Sequence, residues 1–127
     1  MSSFTKPLKG EFLGNNRFEL GETFVYYTED GEDTIEVPVG FISDGASIPR
    51  IFWTIIGSPW SGKYAKAAVI HDFLYVRQFY TRKKSDLIFL EGMKVLGVSW
   101  WKRKAMYWAV RIASGIPWNK YKEMKDE

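Results

Sequence analysis

The sequence contains no cysteine and only one histidine among its 127 residues. The absence of cysteine excludes disulfide bonds, thiolate zinc sites and cysteine nucleophiles together. Side-chain chemistry is therefore expected from oxygen atoms and from the single imidazole, which belongs to His71.

Long hydrophobic runs are also absent. No segment approaches the roughly 18 to 20 uninterrupted apolar residues that a membrane-spanning helix needs. The longest candidates are broken by Lys63, Lys66 and Asp72. The first residues lack the apolar core and the small-residue cleavage site of a secretory signal. These features predict no membrane insertion, and a location where the chain is made or in a particle assembled there.

The composition is that of one globular domain. Hydrophobic residues make up 46% of the chain and charged residues 26%, values that exclude a disordered scaffold. Aromatic residues reach 17%, enough to fill a core or to line a binding face. The charge is divided unevenly, because residues 1–60 contain nine acidic and four basic side chains while residues 61–127 contain six and fourteen.

The first third of the chain has the pattern of β-strands. Residues 18–28 and 34–42 alternate between apolar and polar side chains on either side of an Asp30-Gly31 turn. Such a turn between two alternating segments is a strong hairpin signal. A short strand near residues 11–13 would complete an antiparallel sheet of about three strands.

The rest of the chain has the 3.6-residue period of helices. Capping residues, glycines and prolines delimit predicted helices at residues 47–56, 61–78, 81–96 and 99–115. Strands followed by helices indicate an α+β fold. We therefore predict one domain over residues 1–127, with a β-rich part at 1–42, a helical part at 47–115 and a loose polar tail at 116–127.

Five polar residues occupy positions where the pattern predicts burial. Asp44 and Ser47 lie in the strand-to-helix turn, His71 and Asp72 lie on the inward side of a helix, and Asp86 lies on the inward side of the next. A carboxylate out of water is costly unless it is paired, hydrogen-bonded or bound to a cation. If the two helices pack through these faces, the side chains converge, and they are the candidate catalytic residues.

Each of these residues also has an interpretation without chemistry. Asp44 fits a turn residue that bonds its own backbone next to Gly45, and Ser47 fits a helix N-cap. His71 fits a hydrogen-bonded core residue, and Asp86 fits a carboxylate near a helix start. The group as a whole indicates a buried polar site more strongly than it indicates catalysis.

Four segments resemble a known family. They are residues 37–50 (VPVGFISDGASIPR), 67–75 (AAVIHDFLY), 85–91 (SDLIFLE) and 106–111 (MYWAVR). In this order they resemble a family of small bacteriophage and prophage proteins known as domain of unknown function 1353. Ser43 and Ser85 stand where that family often has Thr and Ala. The resemblance implies a phage origin, hence the host cytoplasm or an assembled virion, and it implies no activity.

Two classes of function are the main alternatives. The class that we favour is a phage accessory or virion- and tail-associated structural protein, whose aromatic and charged surfaces contact other phage structural proteins. The alternative is a metal-dependent hydrolase in which Asp44, His71, Asp72 and Asp86 bind a divalent cation that activates water. That cation is the only cofactor which the sequence suggests.

Two further hypotheses rank lower. A serine hydrolase would use Ser47, His71 and an aspartate, although the sequence has no Gly-x-Ser-x-Gly elbow. A nucleic-acid-binding module would use the basic runs at residues 82–84 and 102–104. Short basic runs on helices are usually solvated faces, so nucleic acid is not expected as a partner.

Overall fold

The computed structural model describes residues 3–4, 8–14, 17–29, 31–45, 47–48 and 65–126. Within these residues the strands are β1 (Ser3–Phe4), β2 (Gly10–Gly14), β3 (Arg17–Leu20), β4 (Phe24–Tyr27), β5 (Thr34–Val37) and β6 (Ile42–Ser43). The helices are α1 (Ala65–Arg77), α2 (Arg82–Val95), α3 (Trp100–Ala113) and α4 (Gly115–Asp126). Antiparallel strands followed by helices confirm the predicted α+β class.

The strands form two small sheets where one was expected. Their orders are β1-β4-β5 and β2-β3-β6, and all pairs are antiparallel. Each of the two long predicted strands is divided, and its halves belong to different sheets. The break between β5 and β6 begins at Pro38, which has no N–H to donate to a neighbouring strand. The same break includes Gly40, which has a φ of 89°. A proline and a left-handed glycine therefore end one sheet and redirect the chain into the other.

The predicted hairpin is confirmed. β4 and β5 pair along all four of their residues. The turn between them is closed by the Gly31 N–H, which donates to the Thr28 carbonyl at 3.0 Å. Gly31 has a φ of 73°, a conformation that glycine adopts without steric cost.

Helices α2 and α3 begin where the sequence predicts them, directly after Thr81 and Ser99. Thr81 precedes α2, and its hydroxyl accepts the backbone N–H of Lys84 at 3.1 Å. Ser99 precedes α3 in an extended conformation. Thr81 thus satisfies one N–H of the first turn of α2, whereas the Ser99 side chain makes no capping hydrogen bond to α3.

Two predicted helices fall partly on residues outside the described part. The helix predicted at residues 61–78 is described from its fifth residue onward, as α1. The helix predicted at residues 47–56 lies outside the described residues after Ile48 and stays a prediction.

The tail predicted to be loose is a helix, so that prediction was wrong. Pro117 is the third residue of α4, where its missing N–H removes no hydrogen bond within the helix. The Trp118 carbonyl accepts a hydrogen bond from the Gln78 side chain at 2.8 Å. The Trp118 ring meets the Tyr75 ring edge-on, with centroids 5.1 Å apart. Contacts with α1, which a local pattern does not reveal, therefore hold α4.

Helix α1 lies at the centre of the core, because every one of residues 67–75 is buried. One side packs against the sheets, and the other packs against α2 and α3. The first contact joins Val69, Ile70, Phe73 and Leu74 to Phe18, Leu20, Phe24, Tyr26, Ile35 and Val37; the second joins Ala67 and Ala68 to Phe89, Met93, Met106 and Val110. A helix covered on all sides carries its polar residues into the interior. No helix among the described residues is long and apolar enough to cross a membrane.

Candidate functional site

Four of the five candidate residues meet inside the protein. Ser47 follows β6, His71 and Asp72 lie in α1, and Asp86 lies in the first turns of α2. None of their side chains is more than 1% exposed. The predicted burial of these polar groups is therefore confirmed, and each group needs a hydrogen-bond partner in the interior.

The segment after β6 encloses the Asp72 carboxylate. Asp72 Oδ2 accepts hydrogen bonds from the Ser43 hydroxyl and from the Gly45 N–H, the latter at 2.7 Å. Asp72 Oδ1 accepts from the Ser47 N–H at 3.2 Å and from the Ser47 hydroxyl. Gly45 has a φ of 70°, which other residues rarely adopt. This conformation turns the segment so that four donors reach one carboxylate.

Both ring nitrogens of His71 have partners. Its Nδ1 lies 2.8 Å from Ser47 Oγ, and its Nε2 lies 2.7 Å from Asp86 Oδ1. The ring also contacts Tyr75 and Phe89, with centroids 4.3 and 4.6 Å away. These contacts fix the plane of the imidazole between the strand-to-helix segment and α2.

The Asp86 carboxylate joins three helices. Besides His71 of α1, it accepts a hydrogen bond from the Tyr75 hydroxyl at 2.7 Å. Arg111 of α3 donates to its Oδ2 at 2.9 Å and forms an ion pair with it. Burial alone raises the pKa of the Asp86 carboxyl, but the contacts with His71, Tyr75 and Arg111 outweigh burial and hold that pKa below its ordinary value.

The pKa of Asp72 is shifted in the opposite direction. Burial raises it, and the hydrogen bonds from Ser43 and Ser47 compensate only in part. The charge of Asp44 raises it further. Burial also raises the pKa of Tyr75, with a second contribution from Asp86. The two buried aspartates thus differ because the contacts with His71, Tyr75 and Arg111 outweigh burial at Asp86, whereas the hydrogen bonds from Ser43 and Ser47 do not outweigh it at Asp72.

A count of donors and acceptors limits where the protons of the network lie. The Ser47 hydroxyl has one proton but contacts both Asp72 Oδ1 and His71 Nδ1. If the hydroxyl donates to Asp72, then His71 donates from both nitrogens. If it donates to His71, then Asp72 carries a proton and donates to Ser47. Both arrangements contain the same number of protons and differ by a shift of two protons through Ser47.

The same count gives the charge of the network. In both arrangements Asp72, His71 and Asp86 together carry one negative charge, which the guanidinium of Arg111 balances. A buried group with no net charge and complete hydrogen bonding avoids most of the cost of an isolated buried ion. The network is therefore suited to a protein interior.

Asp44, the fifth candidate, lies beside the network. It is partly exposed and lines a cavity of about 450 Å³ together with α4. The α4 residues of that cavity are Ile116, Pro117, Lys120, Tyr121 and Met124. The charge of Asp44 reaches Asp72 and Tyr121, whose pKa is raised by burial and by both aspartates. Asp44 thus affects the network electrostatically from its border.

The geometry does not fit the predicted metal site. Both oxygens of Asp72 face N–H and O–H donors, and both nitrogens of His71 are engaged. Among the described residues, no three His, Asp or Glu side chains are grouped to hold a metal ion. Asp44, His71, Asp72 and Asp86, although all described, therefore do not form a set of cation ligands here.

Sequence reasoning missed several members of the network. Tyr75 lies four residues after His71, and residues at this spacing share a helix face, so the spacing contained a signal. Arg111 and Ser114 belong to the end of α3, and the Ser114 hydroxyl donates to the Ser47 carbonyl. Their role depends on the packing of α3 against the segment after β6, which no local pattern specifies.

Three of the six basic side chains at residues 82–84 and 102–104 are engaged within the chain. Arg82 donates to the carbonyls of Val110 and Arg111, each at 2.7 Å. Lys84 pairs with Asp33 at 2.9 Å, and Arg103 donates to the Val98 carbonyl at 3.1 Å. These three side chains stabilise helix ends and the connection between β4 and β5. For these residues the basic runs therefore have a structural role.

The structure defines an α+β domain in which a buried Ser-His-Asp network joins a strand-to-helix segment to three helices. The chain belongs to the family described as "Protein of unknown function (DUF1353)", whose family model matches residues 18–110. The match includes all five candidate site residues. The α4 residues of the cavity follow the matched region. The family inferred from the four sequence segments is thereby confirmed, while its association with phages stays a prediction.

Two relatives come from Sinorhizobium fredii (strain NBRC 101917 / NGR234). The chain is 46% identical over 111 residues to "Uncharacterized protein y4jT". The aligned region covers 85% of this chain and 33% of that protein. It is 40% identical over 76 residues to "Uncharacterized protein y4iH", covering 60% of this chain and 31% of that protein. The chain thus spans about a third of the length of these relatives. No solved structure matches the chain.

Proposed function

We propose that this protein is a small accessory or virion- and tail-associated structural protein of phage origin, in which the polar network stabilises the fold. The observation that carries the proposal is the complete burial of Ser47, His71, Asp72 and Asp86. A catalytic base or nucleophile has to reach its substrate. These side chains instead bond to one another and join the segment after β6 to the helices.

Two further observations support the phage and assembly parts of the proposal. The four sequence segments resemble small phage and prophage proteins. Large apolar side chains are exposed on the helices, among them Trp100 at 66% and Trp108 at 59%. Clusters of exposed apolar residues are typical of surfaces that contact other proteins. The expected partners are other phage structural proteins, in the host cytoplasm or in the virion.

The structural role is tested by asking whether the protein is part of the particle. Particles from the phage or prophage that encodes the chain are purified by gradient, and their proteins are quantified by mass spectrometry. We expect this protein at a fixed ratio to a capsid or tail protein. A phage enzyme expressed at the same time serves as the control and should be lost on purification. A protein abundant in the lysate but lost with that control would contradict the proposal.

The metal-hydrolase alternative is tested by metal linkage. A cation that binds the folded chain alone adds RT ln(1 + [L]/Kd) to the stability, about 2.7 kcal/mol at a hundredfold excess over Kd. A saturated core network predicts no such dependence. Chelator-treated protein is melted with Mg²⁺, Mn²⁺, Ca²⁺ or Zn²⁺ added back, beside Asp72→Asn. An ion-dependent rise in the parent that is lost in the variant would favour the metalloenzyme.

One observation favours a serine hydrolase as a second candidate. Ser47 Oγ, His71 and Asp86 are linked by contacts of 2.8 and 2.7 Å through the two ring nitrogens. In acyl transfer, a histidine so placed removes the serine proton, and the aspartate holds the ring. However, the N–H groups of Gly45 and Ser47, which could stabilise an oxyanion, face Asp72. Catalysis would therefore require the segment after β6 to leave Asp72.

A fluorophosphonate probe distinguishes the two candidates, because it forms an ester with an activated serine. The parent and Ser47→Ala are treated under identical conditions and compared by intact mass. The structural proposal expects no adduct on either chain. An adduct on the parent that is lost in Ser47→Ala would place an activated serine in this network and favour the hydrolase.

A further inference from the structure

One face of α3 is apolar and yet exposed. Trp101, Trp108 and Ile112 are 55%, 59% and 80% exposed. At 100° per residue these positions lie within roughly 40° of one another, and Ala105 lies in the same sector. We call Trp101, Ala105, Trp108 and Ile112 the helix stripe. The other side of α3 is packed into the core, and a helix that is apolar on two sides is normally covered on both.

Lysines flank the helix stripe. Lys104 lies on one side of it and Lys102 on the other, by the same helical angles. The Lys102 ammonium is 5.7 Å from the centroid of the Trp101 ring. Neither lysine forms an ion pair in the described part of the chain. The surface that covers the stripe should therefore combine apolar with acidic side chains.

The chain itself contains such a surface on its second sheet. The register aligns Glu11 of β2, Glu19 of β3 and Ile42 of β6 in one row, so their side chains share a face of the sheet. Glu11 and Ile42 are exposed, and Glu19 is partly exposed. We call these three residues the sheet face. Like charges directly opposite each other destabilise a strand pair, and neither glutamate forms an ion pair within the described residues.

We propose that the helix stripe of one copy docks on the sheet face of a second copy. Lys102 and Lys104 would pair with Glu11 and Glu19, while the stripe covers Ile42. The charges of the two halves of the chain, net negative in residues 1–60 and net positive in residues 61–127, favour the same orientation.

A second copy is the occupant that accounts for both surfaces. An anionic membrane or a nucleic acid would match the tryptophans and lysines of the stripe, but it would leave the two adjacent glutamates unpaired. Two copies that dock reciprocally, each stripe on the other sheet face, form a closed two-fold dimer, and docking on one side only continues into larger rings or open filaments. The inference depends on surface residues and is independent of the buried network.

The assembly is measured by sedimentation velocity of the full chain over a wide concentration range at low and high salt. We expect dimers or larger species whose abundance rises with concentration and falls with salt, because exposed charges are screened. A protein that stays monomeric throughout would overturn the inference.

Charge reversal tests the pairing itself. Glu11→Lys with Glu19→Lys makes both surfaces positive, and Lys102→Glu with Lys104→Glu makes both negative. Each double variant alone should associate about tenfold or more weakly, because like charges then face each other. An equimolar mixture should regain assembly, since each surface of one variant meets its opposite on the other. The control is Glu36→Lys with Lys83→Glu, two exposed positions outside both surfaces.

The remaining outcomes also decide the question. Assembly that both double variants retain, or a mixture that fails to assemble while both variants melt like the parent, would overturn the inference. Binding of the monomeric parent to anionic vesicles or to an oligonucleotide, without self-assembly, would overturn it in favour of that ligand. Trp108→Ser should weaken assembly at every salt concentration, because it removes apolar contact and leaves the charges in place.

Discussion

His71 Nε2 lies 2.7 Å from Asp86 Oδ1, and both side chains are fully buried. This contact joins α1 to α2, and the bond from Arg111 extends it to α3. A buried polar group that loses its partner costs more than the bond itself contributed, because no water replaces the partner. Substitutions in the network should therefore affect stability more than substitutions on the surface.

Replacing His71 by Ala should lower the free energy of unfolding by about 1 to 3 kcal/mol, because Ser47 and Asp86 each lose a buried partner. Urea unfolding of the parent and the variant measures the difference. The control is Phe79→Ala, an aromatic residue that is 67% exposed just after α1, which should have a smaller effect. Unfolding of His71→Ala at the urea concentration of the parent would show that the network contributes little.

The stability should depend on pH in opposite ways through the two buried aspartates. The folded-state pKa of Asp86 is lowered, so its contribution is present above the ordinary carboxyl pKa and is lost as pH falls through the folded value. The folded-state pKa of Asp72 is raised, so its contribution is present below the ordinary pKa and is lost as pH rises through the folded value.

Unfolding free energies of Asp86→Asn and Asp72→Asn across the acidic range test these signs. The difference between the parent and Asp86→Asn should shrink as pH falls below about 4, near the ordinary aspartate pKa. The difference between the parent and Asp72→Asn should shrink as pH rises above that value. Two difference curves of the same slope would contradict the opposite pKa shifts.

Helix periodicity predicted three members of the network but not its connections. The inward positions of His71, Asp72 and Asp86 follow from the 3.6-residue period, because a helix face is a local property of the sequence. Arg111 escaped prediction because its role depends on how α3 crosses α2. The metal hypothesis has a related origin: sequence places carboxylates near one another but does not show that serine hydroxyls and backbone N–H groups donate to Asp72.

The strands show the same division between local and tertiary information. The Gly31 turn was predictable, since a two-strand hairpin is specified by nearby residues. The division into two sheets depends on pairing between distant strands, such as β3 with β6. Likewise α4, with its polar sequence, is held by Gln78 and Tyr75 of the α1 region, whose contacts outweigh a weak local preference.

Replacing Tyr75 by Phe should destabilise the protein by about 0.5 to 1.5 kcal/mol, because Asp86 loses a hydroxyl donor while the ring is kept. The acid loss of stability should also be smaller and be complete at a higher pH, since without that hydroxyl the folded-state pKa of Asp86 lies closer to its ordinary value. Tyr107→Phe, on the partly exposed side of α3, is the matched control. Equal effects of the two substitutions would contradict a role for the Tyr75 hydroxyl in the network.

Replacing Gly45 by Ala tests the segment that encloses Asp72. Gly45 and Gly97 have φ values of 70° and 80°, so alanine at either position costs about 1 to 2 kcal/mol from the left-handed conformation alone. Only Gly45 also donates its N–H to Asp72, whereas a Cβ at Gly97 would meet open space. We therefore expect Gly45→Ala to lower the free energy of unfolding more than Gly97→Ala, measured by urea unfolding at neutral pH. The excess should disappear when both substitutions are made in the Asp72→Asn background, because the carboxylate that the segment encloses is then gone.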